Sequence, residues 1–286
     1  MVLIANIIRR MESDSMKSVL ENRIKGALYG FAIGDAMGAT TEFMTSDQIK
    51  ARYGQVDEII GGGWLGLKAG QVTDDTQMSM CVMDALMYGN FEKSVIDNFI
   101  KWYKSNPPDV GNQCAKGINY LMRGLHIPVD DKALGNGALM RALPCALVGD
   151  RNKNTFQQRL THNNETNDTC VRLYNDIIDY AIEFGHEVEV LIPRPNNLLH
   201  NTGCVVDALN NAFYYVNWST SFKDCIIHPV NDGGDADTVA AITGGLGGAI
   251  YGFDNIPVKW VKQLDEDVKS KLDEFTTYAI MHQNRS

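Results

Sequence analysis

Glycines recur at every fourth position in two distant stretches of the chain, and this spacing limits the folds that it can adopt. The two series are Gly26, Gly30, Gly34 and Gly38, then Gly244, Gly248 and Gly252. Residues four apart share one face of an α-helix, so each series forms a stripe without side chains. Glycine costs about 1 kcal/mol relative to Ala at an interior helix position, and close approach of another backbone is the usual compensation. We therefore predict two central helices that pack closely against their neighbours.

Apolar residues recur at steps of three and four along most of the chain, which is typical of amphipathic helices. The pattern begins with Val19, Leu20, Ile24, Ala27, Leu28 and Phe31, and it returns within residues 78–86, 173–181 and 205–213. Residues 187–192 read EVEVLI and resemble a strand, but one short segment does not make a sheet. We therefore predict an all-α fold with many helices and long functional loops.

The sequence gives no sign of a division into several folded units. Its 286 residues are enough for one large domain or two small ones. No Pro-, Gly- or Ser-rich linker divides the chain, and no fixed-period repeat is visible. Residues 1–16 precede the helical pattern and are typical of a variable tail. We predict a single large multi-helix domain that spans residues 17–286.

The chain is acidic, with 35 Asp and Glu residues against 26 Lys and Arg residues and a formal net charge of −9. Nucleic acids and anionic membranes are bound through clustered Lys and Arg, so we expect neither of them as a partner. The acidity does not exclude a small anionic substrate, because backbone amides and a few cations are enough to hold one.

Two features predict a cytoplasmic protein. The six cysteines show no CxxC pair and no zinc spacing, and most have apolar neighbours, as expected for free thiols in a reducing compartment. The short apolar run at the N-terminus is followed, rather than preceded, by Arg9 and Arg10, which is the reverse of a secretory signal. No other apolar stretch is long enough to span a bilayer without charge or glycine breaks.

Two short segments place Asp and Thr at the start of a predicted helix. Residues 71–76 read QVTDDT, and residues 231–238 read NDGGDADT. Asp and Thr are favoured helix N-caps, and acids in the first turn suit the helix dipole. A cap needs only one such residue, however, and each segment has two carboxylates close to Thr hydroxyls with no Lys or Arg among them. Capping and metal binding are thus both open for each segment alone.

Four carboxylates that lie close together repel one another unless positive charge lies among them, and divalent cations would supply it. Carboxylate and hydroxyl oxygens are hard ligands, and both segments lack His and Cys, so Mg²⁺, Mn²⁺ or Ca²⁺ is favoured over Zn²⁺. Two similar clusters at helix starts indicate a pair of metals, which can orient and activate oxygen groups for hydrolysis.

The chain resembles the ADP-ribosylglycohydrolase family over residues 24–253. Four stretches carry the resemblance: GALYGFAIGDAMG at 26–38, GQVTDDT at 70–76, GNGALMR at 135–141 and GGDADT at 233–238. The resemblance implies an all-α fold with a two-metal cleft that holds Mg²⁺ or Mn²⁺. It also implies six metal ligands, namely Thr73, Asp74, Asp75, Asp235, Asp237 and Thr238.

The resemblance extends to residues that would otherwise receive ordinary structural interpretations. Alone, Glu42 is a solvated loop acid, Asp109 belongs to a turn, and residues 135–137 form a flexible loop. In the family, an acid at the position of Glu42 lies near the metals, and Asp109 and Asn112 match residues that face the substrate ribose. The remaining implied substrate-binding residues are Gly135, Asn136, Gly137 and His162. Cys204 departs from the pattern, because the family often has an aromatic residue there.

The resemblance implies a hydrolase that releases ADP-ribose from a side chain of a modified protein, with arginine as the expected linkage. Cleavage of such a glycosidic bond passes through an oxocarbenium-like transition state. Asp109, Glu42 and Asp74 are the candidates for the catalytic acid or base, and their order is open. Two alternatives are a module that binds ADP-ribose without cleaving it and a two-metal phosphoesterase that acts on a nucleotide.

Overall fold

The computed structural model describes residues 2–190, 192–193 and 201–283. Three short 3-10 helices, Leu139–Arg141, Gly185–Val190 and Phe253–Asn255, lie between longer helices. The α-helices are α1 (Val2–Gly38), α2 (Ser46–Tyr53), α3 (Asp74–Met87), α4 (Phe91–Lys104), α5 (Asn112–Met122), α6 (Leu143–Leu147), α7 (Arg151–Arg159), α8 (Glu165–Phe184), α9 (Val205–Trp218), α10 (Phe222–Asp232), α11 (Ala236–Tyr251), α12 (Val258–Gln263) and α13 (Glu266–His282).

The all-α prediction is confirmed for the described part of the chain, where β-structure is limited to isolated bridges. The strand-like reading of residues 187–192 is wrong up to Val190, because Gly185–Val190 forms a 3-10 helix directly after α8. With no strand beside it, an extended segment would leave its backbone groups unpaired, whereas a 3-10 turn pairs them locally. Leu191 lies outside the described residues.

Helix α1 begins at Val2, so most of the segment assigned to a tail is helical. The division of the chain at residue 17 stays a prediction. From Ile24 onward, α1 is buried along nearly its whole circumference and forms the centre of the hydrophobic core together with α11. Helices α8, α9 and α10 pack around α11, and α13 packs along α1.

The two glycine series face each other, and this explains their spacing. A β-carbon added to Gly30 would lie 2.2 Å from the carbonyl oxygen of Gly244, and one added to Gly34 would lie 2.1 Å from that of Ala240. Near the other end of the contact, a β-carbon on Gly248 would lie 2.0 Å from the carbonyl oxygen of Gly26. The predicted close packing is therefore confirmed, with the two helices antiparallel. Gly252 differs from the rest, since it follows α11 with a φ of 80°.

This antiparallel contact brings the C-terminal end of α1 to the N-terminal end of α11. A β-carbon on Gly38 would lie 2.4 Å from the carbonyl oxygen of Ala236, the first residue of α11. Residues just after α1 therefore lie beside the acidic segment at the start of α11. The glycine contact thus places two parts of the candidate site next to each other.

Two further expectations concern the environment of the chain. All six cysteines are free thiols, as predicted. Within the described ranges, no helix is both long enough and apolar enough to cross a bilayer.

We predict that Gly34→Ala lowers the free energy of unfolding by about 1–3 kcal/mol, the usual cost of overpacking a tight interface. Helix propensity alone would give the opposite sign, because Ala is the better helix former. Urea unfolding measures the difference. Gly203→Ala is the matched control, because an added β-carbon there meets nothing within 4 Å and Gly203 has no positive φ. Equal stability of both variants would refute the tight contact between α1 and α11.

Candidate active site

A cavity of about 720 Å³ opens where α1 ends and where α3, α5 and α11 begin. Among the residues predicted from sequence, those that line it are Glu42, Asp74, Asp75, Asp109, Asn112, Gly135, Asn136, Gly137, His162, Asp235, Asp237 and Thr238. Thr73 is fully buried and is not among the lining residues. The structure therefore collects residues from six separate parts of the chain around one space.

Asp35, which had no role in the sequence interpretation, holds the start of α3. Its carboxylate accepts hydrogen bonds from the backbone N–H of Thr73 at 2.9 Å and of Thr76 at 3.0 Å. It also accepts one from the Thr73 hydroxyl at 2.8 Å. Asp35 thus satisfies backbone donors that the first turn of α3 would otherwise leave unpaired. Because Asp35 accepts these hydrogen bonds, the carboxylates of Asp74 and Asp75 are available to the cavity.

Asp75 connects the two acidic segments. One of its carboxylate oxygens accepts a hydrogen bond from the Thr238 hydroxyl at 3.2 Å and lies 3.4 Å from the Thr73 hydroxyl, whose proton is directed to Asp35. Its other oxygen, Oδ1, is buried without a hydrogen-bond partner. A buried carboxylate oxygen without a partner is costly, and a bound cation would compensate it.

Asp235 occupies the N-cap position of α11, but its side chain makes no capping hydrogen bond. Its carboxylate instead accepts a hydrogen bond from the Asn136 amide at 2.6 Å, so the 135–137 loop is joined to the acidic segment. The neighbouring Asp237 accepts one from the backbone N–H of Thr238 at 2.9 Å. Capping therefore does not account for the Asp235 carboxylate.

Glu42, Asp109 and Asp237 each offer a carboxylate oxygen, and these three oxygens lie within 4.8 Å of one another. The indole N–H of Trp64 donates a hydrogen bond to Glu42 at 2.5 Å. On the other side of the cavity, Asp74 accepts one from the backbone N–H of Gly111 at 3.2 Å. The candidate catalytic and metal-binding carboxylates therefore form one continuous cluster instead of two groups.

The cluster carries a large uncompensated negative potential. Burial, followed by the charge of Asp109, raises the pKa of Asp74 to about 7. Burial, together with charges that include Asp235, raises the pKa of Glu42 to about 8. Burial also raises the pKa of Asp235 to about 6. Burial and then the charge of Asp237 raise the pKa of Asp75 well above its usual range. Burial and then the charge of Glu42 do the same for the pKa of Asp237.

No Lys or Arg belongs to the described lining of this cavity. The side chains that the α3 and α11 acidic segments present are carboxylates and hydroxyls, and one of their oxygens is an unpartnered buried atom. Hard oxygen donors at high local negative charge suit Mg²⁺ or Mn²⁺. Thr73 is compatible with such a site, because its oxygen has two lone pairs and accepts only a long 3.4 Å bond from the Asp75 N–H.

The glycines of the 135–137 loop are required by close packing. A β-carbon on Gly137 would lie 2.6 Å from the sulfur of Cys114, and one on Gly135 would lie 3.0 Å from Nε2 of His162. The imidazole of His162 is buried, which together with the charge of Arg141 lowers its pKa to about 3. His162 is therefore neutral at physiological pH and contacts the loop as a hydrogen-bonding group without charge.

Arg141 supports this loop from below and was not assigned a role from sequence. Its guanidinium is fully buried and donates hydrogen bonds to Gln157 Oε1 at 2.6 Å, to Thr161 Oγ1 at 2.6 Å and to the Gly137 carbonyl. The Thr161 hydroxyl is in turn 2.8 Å from Nδ1 of His162. Arg141 thus links the loop to the segment that carries His162.

Other residues at the cavity also escaped the sequence analysis. Phe43 and Trp64 line its edge, and Asn201 joins the wall by donating to the Gly233 carbonyl at 2.8 Å. The run GGGW at residues 61–64 was an available signal, because clustered glycines before an aromatic residue indicate a constrained loop. Cys204, which replaces an aromatic residue of the family, pairs with Gly135 in a β-bridge and is not among the cavity-lining residues.

Comparison with known proteins agrees with the sequence resemblance. The ADP-ribosylglycohydrolase family model matches residues 16–201 and 188–285. The chain is 36% identical to the ADP-ribosyl-[dinitrogen reductase] glycohydrolase of Rhodospirillum rubrum over 276 residues, which cover 88% of this chain and 94% of that protein. It is 31% identical to an ADP-ribosylarginine hydrolase of Pseudomonas putida, with 85% and 74% of the two chains covered.

A solved structure, an ADP-ribosylglycohydrolase-related protein complex, has the same fold. It superposes with a TM-score of 0.79 at 25% identity and covers 93% of this chain and 99% of its own. The fold and the similarity to the named relatives therefore extend over nearly the whole molecule.

The raised carboxylate pKa values predict how metal-free protein responds to pH. Carboxylates of the unfolded chain ionise near about pH 4. In the folded chain, Asp235, Asp74 and Glu42 ionise only at about pH 6 to 8. Between these pH values the folded chain therefore holds more protons than the unfolded chain. Its stability therefore falls as the pH rises through this window. Metal-free Asp75→Asn should melt above wild type at pH 8, with a smaller difference at pH 5.

The matched control for this melting experiment is Asp131→Asn, which removes an exposed carboxylate outside the cavity. Added Mn²⁺ should raise the melting temperature of wild type and of the control, and chelator should lower it, since a ligand bound only by the folded state stabilises it. Asp75→Asn should respond less. A wild-type melting temperature that changes with neither Mn²⁺ nor chelator would count against a metal site.

Proposed function

This chain belongs to the ADP-ribosylglycohydrolase family of glycosidic-bond hydrolases, and we propose that it removes ADP-ribose from arginine side chains of a modified protein. The observation that carries the proposal is the convergence of the α3 and α11 acidic segments on one cavity. Two relatives support the substrate, since their names specify ADP-ribosylated dinitrogen reductase and ADP-ribosylarginine.

We propose that two divalent cations, Mg²⁺ or Mn²⁺, are bound by the residues that start α3 and α11. The proposed ligands are Thr73, Asp74, Asp75, Asp235, Asp237 and Thr238. When bound, such cations supply positive charge that fixes ribose hydroxyls and a water molecule and stabilises developing negative charge. The unpartnered Oδ1 of Asp75 and the lack of a Lys or Arg in the described cavity lining support this assignment.

Glu42 and Asp109 are the proposed residues for proton transfer. One oxygen of Glu42 is fixed by the Trp64 indole, which orients the carboxyl at the cavity edge. Asp109 is half-buried, and burial raises its pKa above the ordinary range. A carboxyl group with a raised pKa can exchange a proton near neutral pH, which suits it to activate water or to assist the departing side chain. Asp74 is the third candidate, although its proposed role as a ligand makes it less available.

The other side of the cavity is proposed to hold the ADP-ribose. Asn112 and the 135–137 loop line it. His162, neutral and held in place through Thr161, is suited to donate or accept a single hydrogen bond. Asn136 joins this wall to the acidic cluster through Asp235, so ligand binding and the proposed metal site share one structural element.

The experiment that tests this function uses arginine-linked and serine-linked ADP-ribosyl peptides, with and without Mn²⁺. We expect release of ADP-ribose from the arginine-linked peptide, and only with the metal present. Binding of ADP-ribose without turnover would instead indicate a binding module, and inorganic phosphate or a nucleoside monophosphate as product would indicate a phosphoesterase.

Asp74→Ala and Asp237→Ala should reduce ADP-ribose release by at least about 100-fold. Mutation of a residue that only hydrogen-bonds to a metal ligand already lowers metal affinity or activity by about 10- to 100-fold. Circular dichroism should show unchanged helix content, because both variants remove buried negative charge without disturbing the glycine contact. Asp131→Ala, at an exposed site, is the control and should retain activity. Turnover at the wild-type rate by either cavity variant would disprove the two-metal mechanism.

A further inference from the structure

Two aromatic side chains stand exposed at the edge of the cavity, beside the carboxylate cluster. Phe43 is 67% exposed and Trp64 is 54% exposed, and their ring centroids are 5.4 Å apart. The pair, together with Glu42, also borders a second cavity of about 610 Å³, which includes none of the 135–137 loop or His162. This aromatic pair therefore lies where the main cavity opens away from its proposed ADP-ribose side.

The backbone holds Phe43 in an unfavourable conformation. Its φ is 62°, in the left-handed region that residues with a side chain rarely adopt. The conformation is maintained because the Phe43 N–H donates to the Gly234 carbonyl at 2.7 Å and the Gly234 N–H donates to the Met44 carbonyl at 2.9 Å. Strain of this kind persists only where the surrounding structure enforces it, and it concentrates at functional sites. Phe43 is thus fastened to the loop that carries Asp235.

Trp64 is presented by a loop that is built from glycines. Gly61, Gly62, Gly63 and Gly66 all have positive φ values, and a β-carbon on Gly63 would lie 2.0 Å from the Ala39 carbonyl oxygen. An antiparallel bridge between Gly62 and Leu67 closes the loop. The indole N–H donates to Glu42, so the ring is anchored at one edge while about half of the residue stays exposed. The exposure of Trp64 is therefore fixed by the fold.

An aromatic face next to a carboxylate is the chemistry that binds a planar cation. Guanidinium groups stack on aromatic rings, and the Glu42 carboxyl group beside the two rings can accept hydrogen bonds, as it does from the Trp64 indole. A neutral hydroxyl side chain such as serine cannot stack in this way. The same type of contact occurs within this chain at the second cavity, where the guanidinium carbon of Arg52 lies 5.2 Å from the centroid of the Tyr53 ring.

We propose that Phe43 and Trp64 form an aromatic seat for the guanidinium of the ADP-ribosylated arginine and thereby favour arginine linkages over serine linkages. The inference rests on the proposed function, because the seat is useful only if ADP-ribose is removed from arginine. The second cavity then receives the chain of the target protein on either side of that arginine. The seat contacts the leaving group and not the ADP-ribose.

The test compares Phe43→Leu, Trp64→Leu, Trp64→Phe and Phe43→Tyr on both peptides with Mn²⁺ present. Phe43→Leu keeps an apolar side chain at the same backbone angle but removes the ring, and it leaves the bond between Trp64 and Glu42 in place. Trp64→Phe keeps a ring but removes the N–H that Glu42 accepts. Trp218→Ala is the matched control, since Trp218 is 68% exposed, pairs with Tyr214 at 5.8 Å and lies outside both cavities.

Phe43→Leu and Trp64→Leu should raise KM for the arginine-linked peptide about 3- to 30-fold, the range that a cation over a ring provides. The preference for arginine over serine should fall by the same factor, while Kd for ADP-ribose stays within twofold. Phe43→Tyr and Trp64→Phe should keep the preference, and Trp218→Ala should match wild type. A loss in Trp64→Phe that affects both peptides equally would report the bond to Glu42 alone.

Three results separate the seat from the function that it serves. If wild type releases ADP-ribose from the arginine-linked peptide but Phe43→Leu leaves KM and the preference unchanged, the seat is wrong and the function stands. If Phe43→Leu changes only the molar mass in solution, the pair is a contact between copies of the chain, and the seat is again wrong. If wild type releases ADP-ribose from neither peptide, the proposed function fails and the seat falls with it.

Discussion

The contact between α1 and α11 brings together the segments that carry the acidic residues of the candidate site. Glycines on both helices let the two backbones approach so closely that a single β-carbon would overlap a carbonyl oxygen of the partner helix. Because the helices are antiparallel, the end of α1 meets the start of α11, and Asp35 in α1 also fixes the start of α3. The end of α1 and the starts of α3 and α11 therefore converge, and side chains from these three segments line part of the cavity. Close packing in the core and chemistry at the cavity are consequences of one arrangement.

The cavity is built at the expense of stability. Six carboxyl groups with raised pKa values lie around a space whose described lining contains no Lys or Arg. Natural sequences keep such destabilising groups mainly where function requires them. Bound cations would neutralise this repulsion. The stability of the three helix termini would then depend on whether metal is bound. The strained backbone at Phe43 is a second destabilising feature at the cavity, and hydrogen bonds to the loop that carries Asp235 hold it in place.

Much of this arrangement could be predicted from sequence, because helical periodicity, glycine spacing and short motifs depend on residues that are close together in the chain. The helical periodicity and the glycine spacing indicated the central helices, and twelve of the thirteen predicted site residues line the cavity. The mutual pairing of the two glycine series could not be predicted, since a smooth stripe does not specify its partner. Asp35 was missed because a carboxylate within a glycine-rich helix carries no sign that it caps another helix. The strand-like alternation at residues 187–192 did not change the all-α prediction, because a strand depends on a partner elsewhere in the chain, and the segment is a 3-10 helix up to Val190.

The central claim is that the converging carboxylates hold two cations, and anomalous X-ray diffraction from crystals grown with Mn²⁺ tests it most directly. We expect two anomalous peaks about 3.5–4 Å apart, as in other paired metal sites. Both should lie within coordination distance of oxygens from the start of α3 and the start of α11, with the Oδ1 of Asp75 among them. A map that shows water alone between these carboxylates, or manganese bound only at the protein surface, would contradict the account.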